Sequence, residues 1–165
     1  MTNRTASLVL LAAAAFCLQG AFAADTPMQP AARAAKPASD NMAQARAAIA
    51  AKQWPAALEA LQRADDPASA EWHNLMGFVL RKGPTPDLAG SETHYDEALR
   101  IDPHHRDTLE YSGELYLMKG ELDKSQARLA TLSSECAASC TQYSQLKSAI
   151  ERYKLAGNKF VAADW

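Results

Sequence analysis

The chain has 165 residues, with 19 acidic and 17 basic side chains and a formal net charge of −2 at neutral pH. Because there is no basic excess and no polybasic run, the composition argues against nucleic acid or an anionic membrane surface as the partner. The length fits a single domain.

The first residues are typical of a bacterial secretory signal peptide. Arg4 supplies a positive start, residues 8–18 form an apolar run, and an A-x-A cleavage motif ends at Ala23. The run is shorter than the about 20 apolar residues that a membrane-spanning helix needs. We therefore expect residues 1–23 to be cleaved off after Ala23, and the mature protein to be periplasmic or secreted, with no membrane span.

The next segment is compositionally different. Residues 24–38 are rich in Ala and Pro and show no apolar periodicity, which predicts a disordered or extended linker. Ser39 is a candidate N-cap for a helix that begins at Asp40, so ordered structure is expected from residue 39 onward.

An internal helix-turn-helix pattern is clearest in residues 106–132. Large residues recur at helical spacing, Gly120 interrupts the pattern, and a second helix follows it. Gly113 in the first helix and Ser125 in the second are small residues at points where two helices must approach closely. The residues that carry this pattern are Leu109, Ser112, Gly113, Tyr116, Leu122, Ser125, Leu129 and Leu132.

This pattern resembles the tetratricopeptide repeat (TPR), with two mild departures, Ser112 for the usual Leu and Leu132 for the usual final Ala. The preceding segment fits the family again, through Met76-Gly77 and the phrase YDEALRIDP. In its turn, Thr85 is expected to cap the second helix of the pair, with Pro86 in the first turn.

The resemblance implies an all-α TPR solenoid over residues 39–157. It has three repeats, at about 39–67, 68–105 and 106–139, and the first of them is degenerate. The amphipathic segment 141–156 is expected to form a C-terminal capping helix that covers the exposed edge of the last repeat. A tail follows at 158–165.

A TPR solenoid usually binds a peptide or partner protein on its concave side, which the first helix of each pair lines. The expected lining runs from basic to acidic with an apolar middle, which could orient a bound segment by charge. Acids on the third repeat argue against the TPR subclass that clamps a terminal carboxylate. The residues expected to line the groove are Met42, Arg46, Ile49, Asn74, Phe78, Arg81, Glu110, Glu114 and Leu117.

Motifs of enzymes are not found in the sequence. It has no Gly-rich phosphate loop and no nucleophile elbow, and no helix carries two histidines at metal-ligand spacing. His73 and His94 stand alone in the sequence, and His104-His105 lie in a loop where exposed polar residues are normal. We expect no enzymatic activity, no catalytic residues, no cofactor and no metal site.

The cysteines leave alternatives open. Signal cleavage would remove Cys17 and leave Cys136 and Cys140, four residues apart at the junction of the third repeat and the capping helix. An oxidising compartment favours a disulfide that staples this turn. A redox pair and a site for copper or another thiophilic metal are the alternatives, although redox proteins usually use C-x-x-C.

The sequence therefore predicts a periplasmic adaptor or scaffold that binds an unidentified periplasmic protein or peptide in the TPR groove. The alternative is a redox- or metal-linked periplasmic assembly factor, for example one that handles copper, which uses Cys136 and Cys140. Weak self-association through the capping helix is left open.

Overall fold

A computed structural model of the chain describes residues 38–162. The predicted signal peptide at 1–23, nearly all of the predicted linker and the last three residues lie outside this part. The expected all-α fold is confirmed for the described residues, which form seven helices and no strand. The helices are α1 Ala38–Ala50, α2 Trp54–Ala64, α3 Ala70–Lys82, α4 Leu88–Ile101, α5 Arg106–Met118, α6 Leu122–Cys136 and α7 Thr141–Leu155.

The helices pack as consecutive antiparallel pairs. The most extensive contacts join α1 to α2, α3 to α4 and α5 to α6, and smaller ones join each pair to the next. Among the first helices of the pairs, α5 contacts α3 on one side and α7 on the other. The last helix therefore packs against α5 and α6 as the first helix of a further pair would.

Local sequence explains the start of α3 and the end of α5. The side chain of Ser69 caps α3 by accepting a hydrogen bond from Trp72 N at 3.2 Å. Gly120, with φ of 78°, follows the end of α5, where a left-handed residue closes a helix at low steric cost.

Two expected N-caps are wrong. Asp87, not Thr85, caps α4 through a hydrogen bond from Gly90 N to Asp87 Oδ1 at 2.9 Å, so Pro86 precedes the helix. An Asp side chain accepts this hydrogen bond as well as a Thr side chain would. Its negative charge also interacts favourably with the positive end of the helix dipole. α1 begins at Ala38, so Ser39 lies inside the helix and does not precede it.

Apolar side chains form two clusters along the stack. The first lies among α1, α2 and α3, where Trp72 Nε1 donates to Leu61 O at 2.8 Å. The second lies among α5, α6 and α7, and its centre includes the fully buried Leu132 and Leu146. Burying such leucines stabilises the fold by about 1.5–3 kcal/mol each.

Glycines allow two close approaches between helices. A Cβ on Gly77 would lie 2.7 Å from Tyr95 Cε1, and one on Gly113 would lie 2.5 Å from Leu146 Cδ2. Gly77 therefore serves the contact within a pair, between α3 and α4. Gly113 instead lets α5 approach α7.

Helix lengths bear on the predicted absence of a membrane span. Within residues 38–162, none of the helices combines the length and the apolar character that crossing a bilayer requires.

Candidate functional site

The nine side chains expected in a groove come from α1, α3 and α5, three from each helix. Arg46 is exposed and Ile49 is half-buried. The other seven retain at most 9% of their surface, and they are Met42, Asn74, Phe78, Arg81, Glu110, Glu114 and Leu117.

These residues do not form one continuous set. Met42 belongs to the first apolar cluster and Leu117 to the second. Phe78, Arg81 and Glu114 come together between them, where α3 meets α5. The middle of the row is therefore the part of the predicted groove in which polar and apolar groups converge.

Arg81 is the centre of this convergence. It retains 2% of its surface, and its Nη1 donates to Glu114 Oε2 at 2.7 Å. Its guanidinium carbon lies 5.7 Å from the ring centre of Phe78 and 5.8 Å from that of Tyr111. The hydroxyl group of the buried Tyr95 also interacts with this guanidinium, so the charge of Arg81 has its partners within the fold.

Glu110 is a buried carboxyl group with a raised pKa. It retains 2% of its surface. Burial, with the charges of Glu114 and Asp107, raises the pKa of Glu110 to about 8. At neutral pH its side chain is therefore mostly a neutral carboxylic acid, which can donate a hydrogen bond as well as accept one.

Glu71, which sequence analysis did not single out, lies on the second helix pair and forms polar contacts with the first and the third. Its Oε1 accepts from Arg46 Nη2 of α1 at 3.0 Å, and its Oε2 lies 3.3 Å from Nε2 of His105, just before α5. Burial raises the pKa of Glu71, but the bonds from His105 and Arg46 outweigh it and leave the pKa below its ordinary value. The hydrogen bond between Glu71 and His105 in turn raises the pKa of His105. No local sequence pattern marks these three residues as partners, because each is at least 25 positions from the next.

A second polar link crosses the same row. Thr108 Oγ1 donates to Asn74 Oδ1 at 3.0 Å, and both side chains are buried. His105 accepts from Thr108 N at 3.3 Å as the N-cap of α5. The position of a polar residue just before a predicted helix was the one sequence signal that could have assigned His105 this role.

His73 and His94, which stand alone in the sequence, meet in the structure. Their Nδ1 atoms are 2.9 Å apart, and His73 Nε2 lies 3.1 Å from Pro67 O. Burial and the neighbouring His73 lower the pKa of His94. Sequence reasoning missed the pair because the two residues lie 21 positions apart, on α3 and α4.

The cysteines occupy the predicted turn. Cys136 ends α6 and Cys140 is the N-cap of α7, with their Cα atoms 5.7 Å apart and their sulfur atoms within bonding distance. Between them, Ala137 and Ala138 have φ of 49° and 57°, a left-handed conformation that costs an alanine roughly 1–2 kcal/mol. The disulfide thus closes a turn that its own residues disfavour.

The last helix bears on the expectation of self-association. Tyr153 is buried in the second cluster, whereas Leu155 leaves 88% of its surface exposed. A single exposed leucine is ordinary on a protein surface. It adds no support for self-association.

Known chemistry and known relatives add little to this site. In the part of the chain that the structure describes, no three His, Cys, Asp or Glu side chains stand together so as to hold a metal ion. No protein-family model matches the chain, and no curated protein matches it. The comparison with the TPR family therefore rests on the repeat pattern in the sequence and on the pairing of the helices.

Proposed function

We propose that this chain is a periplasmic TPR adaptor that binds an extended segment of a partner protein on the row of α1, α3 and α5. The proposed export signal at 1–23 would deliver it, and α7 would cap the solenoid. The packing of three consecutive helix pairs and a final single helix supports the repeat architecture. The proposed role is binding without catalysis.

The observation that carries this proposal is the aromatic contact at the middle of the row. The half-buried Tyr111 ring lies 4.8 Å from the ring of the buried Phe78. The guanidinium of Arg81, paired with Glu114, lies 5.8 Å from the Tyr111 ring and fixes its position from within the fold. A partly exposed tyrosine offers apolar contact area and a hydroxyl group to a partner, so the apolar part of a bound segment would pack against Tyr111.

Charge contributes less to this binding than the sequence indicates. Arg46 is paired with Glu71, and Arg81 is paired with Glu114. With the pKa of Glu110 at about 8, the acidic end of the row also loses most of one negative charge at neutral pH. Hydrogen bonds and apolar contacts should therefore set the affinity, with only a weak dependence on salt.

Site-specific photo-crosslinking in periplasm tests the proposal. A photoreactive side chain at Ile49, which is half-buried on α1, should crosslink the same protein as one at Arg46. The matched control is Gln126, an exposed position on α6, the second helix of its pair. A partner captured equally well from Gln126, or only from there, would contradict binding on the row of first helices.

A further inference from the structure

We propose that His73 and His94 form a binding site for a divalent transition-metal ion, with Cu²⁺ the ion bound most tightly. This site is separate from the proposed partner-binding row and does not depend on it. It joins α3 to α4 within one helix pair, and it uses no cysteine.

The spacing of the two imidazoles suits a shared ion. Nδ1 of His73 and Nδ1 of His94 are 2.9 Å apart, and their ring centres are 5.1 Å apart. Two nitrogens bound to one metal at about 2.0–2.1 Å lie about 2.9 Å apart at a right angle and about 3.4 Å apart in a tetrahedron. Binding therefore requires each ring to turn by about 35–45°, so that both nitrogens point at one ion beside the line that joins them.

Hydrogen bonding prepares His73 as a ligand. Pro67 O can only accept, so His73 Nε2, 3.1 Å away, carries a proton and donates it to this carbonyl. In the neutral imidazole this leaves the lone pair on Nδ1, facing His94. Metal-binding histidines usually have their second nitrogen held by a carbonyl or carboxylate in this way.

Metal binding requires the proton between the two rings to leave Nδ1 of His94, which a change of tautomer allows. In the metal-free pair, His94 Nδ1 donates to His73 Nδ1, and the other nitrogen of His94 has the lone pair. When the ion binds, His94 loses the Nδ1 proton and gains one at Nε2, so the ring stays neutral and no net proton is released. Water ligands complete the coordination sphere.

The surroundings hold both rings in place, with His73 buried and His94 half-buried. Trp72 contacts the His73 and His94 rings edge-on, with ring centres 4.8 and 5.6 Å away, and is itself anchored through Nε1. The pair borders an open depression of about 650 Å³, which an ion with its waters can enter. The depression is also lined by Glu97 and Arg100, which form an ion pair, and by Asp96, which pairs with Arg128, so the two histidines alone supply the proposed ligands.

The choice of ion follows from ligand chemistry. Imidazole suits Cu²⁺, Ni²⁺ and Zn²⁺, whereas Mg²⁺ and Ca²⁺ prefer oxygen. Cu²⁺ forms the most stable complexes in this series, and its tetragonal geometry accepts two nitrogens at a right angle. Two protein ligands make an exchangeable site, in contrast to the four of a structural zinc site.

Titration of the full chain with Cu²⁺ tests the inference. Cys17→Ser is present in every protein so that no thiol outside the disulfide competes for the ion. We expect one equivalent of Cu²⁺ to bind reversibly, with at least tenfold weaker binding in His94→Gln and unchanged binding in His104→Gln. His104 is a matched control because it is an exposed histidine paired with Glu135.

A second measurement does not depend on how the variants fold. A small amount of Cu²⁺ is paramagnetic and should broaden the imidazole proton NMR signals of His73 and His94 before those of His104 and His105. Equal broadening of all four histidines would overturn the proposal. So would Cu²⁺ binding that His94→Gln leaves unchanged.

Discussion

Replacing Glu110 by Gln should stabilise the protein in alkaline solution and much less in acid. Burial, together with Glu114 and Asp107, raises the pKa of Glu110 from 4.5 to about 8 in the folded protein. Between these values the folded protein keeps the proton and the unfolded chain releases it. The free energy of unfolding therefore falls as the pH rises through this window.

The size of the effect follows from the two pKa values. The interval from 4.5 to about 8 corresponds to a loss of at most about 5 kcal/mol at pH 8 and above. Gln has nearly the shape of protonated Glu and cannot ionise, so Glu110→Gln avoids this loss. We expect its advantage over the natural protein to grow by about 2–5 kcal/mol between about pH 4.5 and about pH 8.5.

Urea unfolding followed by circular dichroism at both pH values measures this difference. Groups away from Glu110 titrate alike in the two proteins, so their contributions cancel in the comparison. Burial and the charge of Glu110 raise the pKa of Tyr111, so this phenol keeps its proton throughout the pH range used. Glu151→Gln, on the exposed side of α7, is the matched control and should show no growing advantage. If Glu110→Gln shifts stability equally at both pH values, the reasoning from burial and neighbouring charge is wrong.

Three further variants test how α7 is joined to and packed against the preceding helices. The double variant Cys136→Ser, Cys140→Ser should lower the free energy of unfolding by about 2 kcal/mol, the chain-entropy value for so short a loop, and should speed amide exchange in α7. Unchanged exchange would show that the disulfide does not hold the turn. Loss of crosslinking from Ile49 in this variant would favour the redox or metal alternative over the adaptor. Gly113→Ala should destabilise by about 1–2 kcal/mol in the same assay, because the new Cβ meets the buried Leu146; a gain of about 1 kcal/mol, the helix-propensity value, would mean that Leu146 moves freely. Ala138→Gly should stabilise by about 0.5–1 kcal/mol because its φ of 57° favours glycine, and a thermal midpoint at or below that of the natural protein would contradict this.

Much of the fold could be predicted from local patterns. Gly120 marks the end of α5, and Cys136 and Cys140 stand at the facing ends of α6 and α7, as the sequence predicts. Helix ends are set by residues within one turn of chain, so a single sequence contains the necessary information. The misplaced cap of α4 shows the limit of this information, since Thr85 and Asp87 are both good caps and only the chain path selects one.

The candidate site could be predicted only in part. The helix row was predictable, because helical spacing decides which residues share a face. The burial and pairing of its residues were not predictable. Arg81 and Glu114 are separated by 33 positions, and their contact depends on how α3 and α5 pack. The same packing buries Glu110 and raises its pKa, although the residue looks like an ordinary surface acid in the sequence.

The sequence by itself determined the helical pairs, the turns between them and the place of the disulfide, because each depends on side chains a few residues apart. The tertiary structure alone decided which polar groups meet. It brought His73 to His94, Glu71 to His105 and Arg81 to Glu114. These features depend on the distance and angle between helices, which side-chain volumes across the whole interface set together.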